Sequence, residues 1–114
     1  LPVVSQPARR ERILACISSN EHTPRHIIRK AYRLASRYST SFTVLYVQTP
    51  RESTERISLA SQRYLLNHFK LVTELGGDVL QVFSESITEA IIETCREKQI
   101  TTICMGHPAL FITC

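Results

Sequence analysis

The chain is poor in the residues that break structure and lacks the motifs that mark familiar cofactor loops. Three glycines and five prolines in 114 residues exclude collagen-like and low-complexity disordered readings. Neither GxGxxG nor GxxxxGK(S/T) occurs, so the dinucleotide fingerprint and the P-loop are both absent. The four cysteines, Cys16, Cys95, Cys104 and Cys114, form no CxxC and no Cys/His pair with zinc spacing. Long apolar runs are missing too. The longest uncharged stretch, Gln99 to Cys114, contains Thr101, Thr102, His107 and Pro108 and is too short and polar to span a bilayer. No charged segment leads into an apolar one at the N-terminus, so no secretory signal is read.

What is present is ordinary for a single soluble domain: 43% hydrophobic residues, 21% charged, and a net charge of +4. Cys16 and Cys104 lie inside apolar runs and read as small buried hydrophobes, with reduced thiols expected in a cytoplasmic setting.

Residues 1–11 hold two prolines and no apolar period, and read as a linker or lead-in segment. Ile13 to Ile17 is continuously apolar, as suits a strand covered on both faces. Thr23 and Pro24 then read as N-cap and first turn of a helix carrying Ile27, Ile28, Ala31, Leu34, Ala35 and Tyr38 on one face. Phe42 to Val47 is a second strand. Ser53 or Thr54 caps a second helix with a stripe of Ile57, Ala60, Tyr64, Leu65, Phe69, Val72 and Leu75, and Gly76-Gly77 stops it. Asp78 to Phe83 is a third strand, Ser86-Ile87-Thr88-Glu89 a capping box, and Ile100 to Met105 a fourth strand. The order β-α-β-α-β-α-β predicts a three-layer α/β/α domain with a parallel, Rossmann-like sheet of four strands.

In such sheets ligands bind beyond the carboxyl ends of strands where the strand order reverses. This rule selects the loops after strands one and four, Ser18 to His22 and Gly106 to Pro108. Ser18, Ser19 and Asn20 can offer hydroxyls and amides to a phosphate, although turn chemistry alone favours the same residue types. Gly106 allows close backbone approach, with His107 beside it. On helix one, Arg25, Arg29, Arg33 and Arg37 recur at steps of four and form a basic stripe, read either as a docking surface for an acidic partner or as a solvated outer face. No nucleic-acid-binding motif appears. His22 and His26 are four apart, but Thr23-Pro24 places His22 outside the helix and no third ligand is evident, so no metal site is expected. No GxSxG turn and no nucleophile–base–acid set is present, which favours a binding module over an enzyme.

Several segments resemble one family. Glu11-Arg12-Ile13-Leu14-Ala15-Cys16-Ile17-Ser18, the basic helix from Ile28 to Ala35, Tyr46-Val47-Gln48-Thr49-Pro50-Arg51, Leu71 to Gly77 and Met105-Gly106-His107-Pro108 are similar to the universal stress protein domain found inside KdpD sensor kinases. The resemblance covers about residues 11–108, with the domain itself placed at 12–108. It implies a cytoplasmic regulatory domain of a membrane histidine kinase that controls potassium-uptake genes through a response regulator. The ATP-binding pattern of ordinary universal stress proteins is departed from: Ser18 stands where they carry Asp, and Gly106 has no second glycine three residues on. The family's last helix and strand are also missing from the pattern, leaving 109–114 as a truncated hydrophobic tail, so the chain reads as a fragment or a truncated domain.

Some members bind cyclic di-AMP through Ser-x-Ser near strand one and Phe-Thr-Ala-x-Tyr in strand two. Phe42-Thr43-Val44-Leu45-Tyr46 matches the second piece closely, and Ser18-Ser19-Asn20 keeps the first serine of the other. The resemblance therefore implies a ligand set of Ser18, Ser19, Asn20, Phe42, Thr43, Tyr46, Val47, Gly106 and His107, with cyclic di-AMP ahead of ATP as ligand. The alternative is a free-standing universal stress protein that binds ATP or AMP as a dimer. An open sheet edge beside the tail would supply such a dimer's contact.

Overall fold

The computed structural model describes residues 11–17, 24–48, 50, 58–105 and 111–113. Its elements are β1 (Ile13–Ile17), α1 (Pro24–Arg37), β2 (Phe42–Gln48), α2 (Leu59–Glu74), β3 (Asp78–Phe83), α3 (Ile87–Lys98), β4 (Thr102–Cys104) and β5 (Phe111–Thr113). The first four strands are parallel, and the sheet order is β3-β2-β1-β4-β5. Alternating side chains of each strand supply two cores. Ile13, Ala15, Ile17, Phe42, Val44 and Tyr46 meet α1 and α2 on one face. Leu14, Leu45, Val47 and Ile103 meet α3 on the other. The α/β three-layer class expected from the sequence is the one observed.

The carboxyl-terminal end differs from expectation. In place of four strands and a loose tail, Phe111–Thr113 pairs antiparallel with β4, matching Cys104 with Phe111 and Thr102 with Thr113. Connection length explains the direction. Only residues 106–110 separate Met105 from Phe111, whereas a parallel return needs a crossover of about a dozen residues. A short connection can only turn the chain back.

Each helix ends on a residue in the left-handed region: Ser39 (φ 53°), Gly76 (φ 85°) and Gln99 (φ 54°). In all three the next amide reaches back to the carbonyl five residues earlier, at 2.8 Å for Thr40 to Ala35, 2.9 Å for Gly77 to Val72 and 2.9 Å for Ile100 to Cys95. This is the Schellman closure, and it satisfies carbonyls the helix leaves open. Only half of the expected capping box forms at α3. Ser86 Oγ accepts from the Glu89 amide at 3.2 Å, but the Ser86 amide donates to Ser84 Oγ at 3.2 Å instead of to Glu89. A serine two residues upstream has taken the carboxylate's place.

The start of β1 is buckled to the start of β4. The Arg12 amide donates to Thr101 Oγ1 at 3.0 Å, the Thr101 amide donates to the Arg12 carbonyl at 2.9 Å, and the Thr101 hydroxyl donates to Glu11 Oε2 at 2.6 Å.

The buried arc of α2 is rotated from the expected one. Ala60 and Tyr64 are exposed, whereas His68 is 2% exposed and takes a core position three residues beyond Leu65 and four before Val72. Tyr64 instead lies edge-on to the imidazole, ring centroids 4.3 Å apart. Neither ring nitrogen of His68 has a hydrogen-bond partner among the described residues. Burial therefore lowers the His68 pKa below its ordinary 6.5; the Tyr64 main chain opposes this and Arg25 adds to the lowering.

Two predictions follow from this packing. A Cβ at Gly77 would come within 2.6 Å of the Phe42 ring, which is buried and edge-on to Tyr32. Gly77→Ala should thus destabilise the domain by about 1–3 kcal/mol in urea unfolding followed by circular dichroism. The neutral form of His68 is the one the fold accepts, so the unfolded chain binds the extra proton. Stability should be complete above pH 6.5 and fall as the solution becomes more acidic, by at most about 1.4 kcal/mol per pH unit from this group. His68→Leu should flatten that slope; an unchanged slope would assign it to other groups.

Candidate functional site

Strand order determines where a ligand can sit. From β1 the chain moves through α1 to β2 and on to β3, while β4 lies on the other side of β1, with Ala15 opposite Cys104. The reversal falls between β1 and β4, and in open α/β sheets ligands bind beyond the carboxyl ends of such strands, here Ile17 and Cys104. α1 packs on the sheet between the parallel β1 and β2 and so runs back against them, which puts its amino terminus on the side of that carboxyl edge.

The first turn of α1 is unusual. It begins at the buried Pro24, contains no acidic residue and carries Arg25 and His26, both exposed. Acids usually complement the positive end of a helix dipole. Among the described residues, the dipole and the Arg25 guanidinium add at this end of the helix. The charge of Arg25 adds to burial in lowering the pKa of His68. Sequence reading missed His68 because it is polar; its spacing from Leu65 and Val72 was the available signal.

Of the residues expected to form one site, the described ones, Phe42, Thr43, Tyr46 and Val47, are spread along β2. Tyr46 is 1% exposed, pairs in register with Ile17 and Gln81, and lies edge-on to Phe69 with centroids 6.1 Å apart. It is a floor beneath the carboxyl edge, set in the core. Val47 is also buried, one residue nearer the edge and on the α3 face. Phe42 and Thr43 start β2, opposite Ile13 and Leu14. Four residues of strand place Phe42 about 13 Å from Tyr46, at the amino end of the sheet. Phe42 there borders a cavity of about 390 Å³ with Tyr32, Ser36, Ser39 and Gly76, and Thr43 borders a smaller one with Arg12, Asp78 and Lys98. Phe42 and Thr43 are not brought together with the reversal point. Ser18, Ser19, Asn20, Gly106 and His107 lie outside the described residues. Arg25, Arg29, Arg33 and Arg37 are all exposed along α1, as the stripe implies.

The thiols near the edge are not poised for nucleophilic work. Burial, reinforced by Cys95 and Cys104, pushes Cys16 up to about 12. Cys104 is pushed up to about 11 by burial, against an opposing pull from Lys30. At neutral pH both are protonated. Among the described residues, no cluster of three or more His, Cys, Asp or Glu is placed to hold a metal, and no helix is long and apolar enough to cross a membrane.

Comparison with known proteins agrees with this architecture. The model of the universal stress protein family matches residues 9–110. The sensor protein KdpD of Escherichia coli (strain K12) is 31% identical over 100 residues, covering 88% of this chain and 11% of that protein. The sensor protein KdpD of Clostridium acetobutylicum is 34% identical over 96 residues, covering 84% and 10%. The chain thus spans about a tenth of the length of these relatives. Among solved structures, a universal stress protein family member from Burkholderia pseudomallei superposes with a TM-score of 0.62 at 21% identity, over 88% of this chain and 83% of that one. A universal stress protein in complex with cAMP gives 0.54 at 13% identity, over 84% and 71%. A parallel sheet reversing between β1 and β4, matched by a family model over nearly its whole length, shows that this chain belongs to the universal stress protein family and is related to KdpD sensor proteins.

Proposed function

We propose that this domain is a nucleotide-sensing regulatory module of a KdpD-type sensor kinase. It works on the cytoplasmic side of the membrane and passes ligand occupancy to the kinase and its response regulator. The observation that supports this reading is the first turn of α1, which carries Arg25 and no acidic residue and lies on the side of the strand-order reversal. Oriented amides, a helix dipole and a guanidinium are what a phosphate needs. A related fold in complex with cAMP supports a nucleotide in particular. Ser18, Ser19 and Asn20 would supply hydroxyls and amides to phosphate oxygens, and Gly106 and His107, which follow β4 in the chain, would complete the set. Tyr46 and Val47 would support the pocket from below, and Phe42 and Thr43 would take no part. Gly106 has no second glycine three residues on, so the loop that ordinary members use for ATP is missing, which favours cyclic di-AMP over ATP.

Binding biases the attached kinase only to the extent that one arrangement of the larger protein binds better than the other. The domain itself would perform no chemistry.

Isothermal titration of the 114-residue chain with cyclic di-AMP, ATP and cAMP tests the reading. Micromolar binding of cyclic di-AMP is expected, weakened about tenfold or more by Arg25→Glu, a loss of at least about 1.4 kcal/mol. Phe42→Leu should leave affinity unchanged. Tighter binding of ATP would overturn the dinucleotide assignment, and absence of heat with all three ligands would overturn nucleotide sensing.

A further inference from the structure

The outer faces of α1 and α3 carry the same pattern with opposite charge. Along α1, Arg29, Arg33 and Arg37 follow one another at steps of four, and α1 contains no Asp or Glu. Along α3, Glu89, Glu93 and Glu97 do the same. All six side chains are exposed. Each ridge also holds one exposed apolar residue at the same offset: Tyr32, 39% exposed, three beyond Arg29, and Ile92, 51% exposed, three beyond Glu89. Steps of four residues rise about 6 Å on any α-helix, so charges and apolar knobs on the two ridges match in spacing. Arg96 flanks the acidic ridge and Lys98 closes the helix, so the match rests on the three glutamates rather than on the net charge of α3.

The two ridges cannot meet within one molecule. α1 packs on the face of the sheet that carries Ala15 and Tyr46, and α3 packs on the face that carries Leu14 and Leu45. No ion pair among the described residues neutralises either ridge. We infer that the occupant of each is a second copy of this chain, with α1 of one copy docked on α3 of the next. Such a contact joins different surfaces, so every added copy presents a fresh α1 ridge or a fresh α3 ridge. The assembly grows as a stack or closes as a ring. Nothing in this inference depends on nucleotide binding, and Arg25 is outside the matched set.

Exposed ion pairs are individually weak and are screened by salt, and the molecule's net charge of +4 opposes its own association. The contact is therefore transient in dilute solution. It strengthens where copies are held close together, because tethering raises their effective concentration.

Sedimentation velocity of the 114-residue chain tests the inference, in about 0.01 M and about 1 M salt, where the Debye length falls from roughly 30 Å to roughly 3 Å. The weight-average sedimentation coefficient should climb with protein concentration in low salt and stay flat in high salt. The pair Arg29→Glu and Arg33→Glu should abolish the climb, as should the pair Glu89→Lys and Glu93→Lys. A chain carrying all four substitutions should regain it, because the ridges have exchanged signs. An equimolar mixture of the two paired variants should regain it as well. Circular dichroism checks that each variant is folded, and the salt comparison on the unaltered chain stands without any variant. A strict monomer in low salt, association indifferent to both reversals, or no recovery in the exchanged chain would each overturn the stacking contact. In that last case the α1 ridge would belong to some other acidic partner.

Discussion

The position of β1 is the constraint on which the rest of the structure depends. It is paired on both edges, with β2 and with β4, and covered on both faces by helices. A strand so enclosed has to be apolar without alternation, and Ile13, Leu14 and Ala15 are fully buried. Small residues matter as much as large ones there: Ala15 in the strand and Ala31 and Ala35 in α1 share one core, where side-chain volume sets how closely helix and sheet approach. That docking fixes the direction of α1 and puts its amino terminus on the side of the reversal point.

Much of this was legible in the residues. The bounds of β1 and β3 follow from apolar runs ended by turn-forming residues, and the stop of α2 from Gly76-Gly77. The stops of α1 and α3 were not readable in the same way, because Ser39 and Gln99 adopt the left-handed conformation without being glycine. α2 was misphased because Tyr64 and His68, one turn apart, exchange their usual roles. The larger apolar ring lies on the shoulder of the helix, and the imidazole fills the interior. A three-residue strand such as β5 has no periodicity to detect and is defined only by its partner.

The strand-order reversal was legible as a place, whereas no set of ligand residues could be read with the same directness. Alternation of strands and helices sufficed to locate the reversal point. A linear motif running from Phe42 to Tyr46, however, treats neighbours in sequence as neighbours in a pocket. A strand spreads those residues over the height of the sheet and sends alternate ones to opposite faces, so the motif's ends reach different edges. The acidic ridge on α3 went unread beside the basic one on α1, because neither acquires meaning until the sheet is known to separate them.

The reversed direction of β5 has a mechanical consequence. β1 begins, and β5 ends, at the amino edge of the sheet, where Thr102 lies between Ile13 and Thr113. Strand order therefore puts the start of β1, the end of β5 and the hydrogen bonds that clasp Arg12 to Thr101 at one pole of the sheet, and the strand-order reversal beyond Ile17 and Cys104 at the other. A load on the start of β1 is thereby shared with β4 through that clasp.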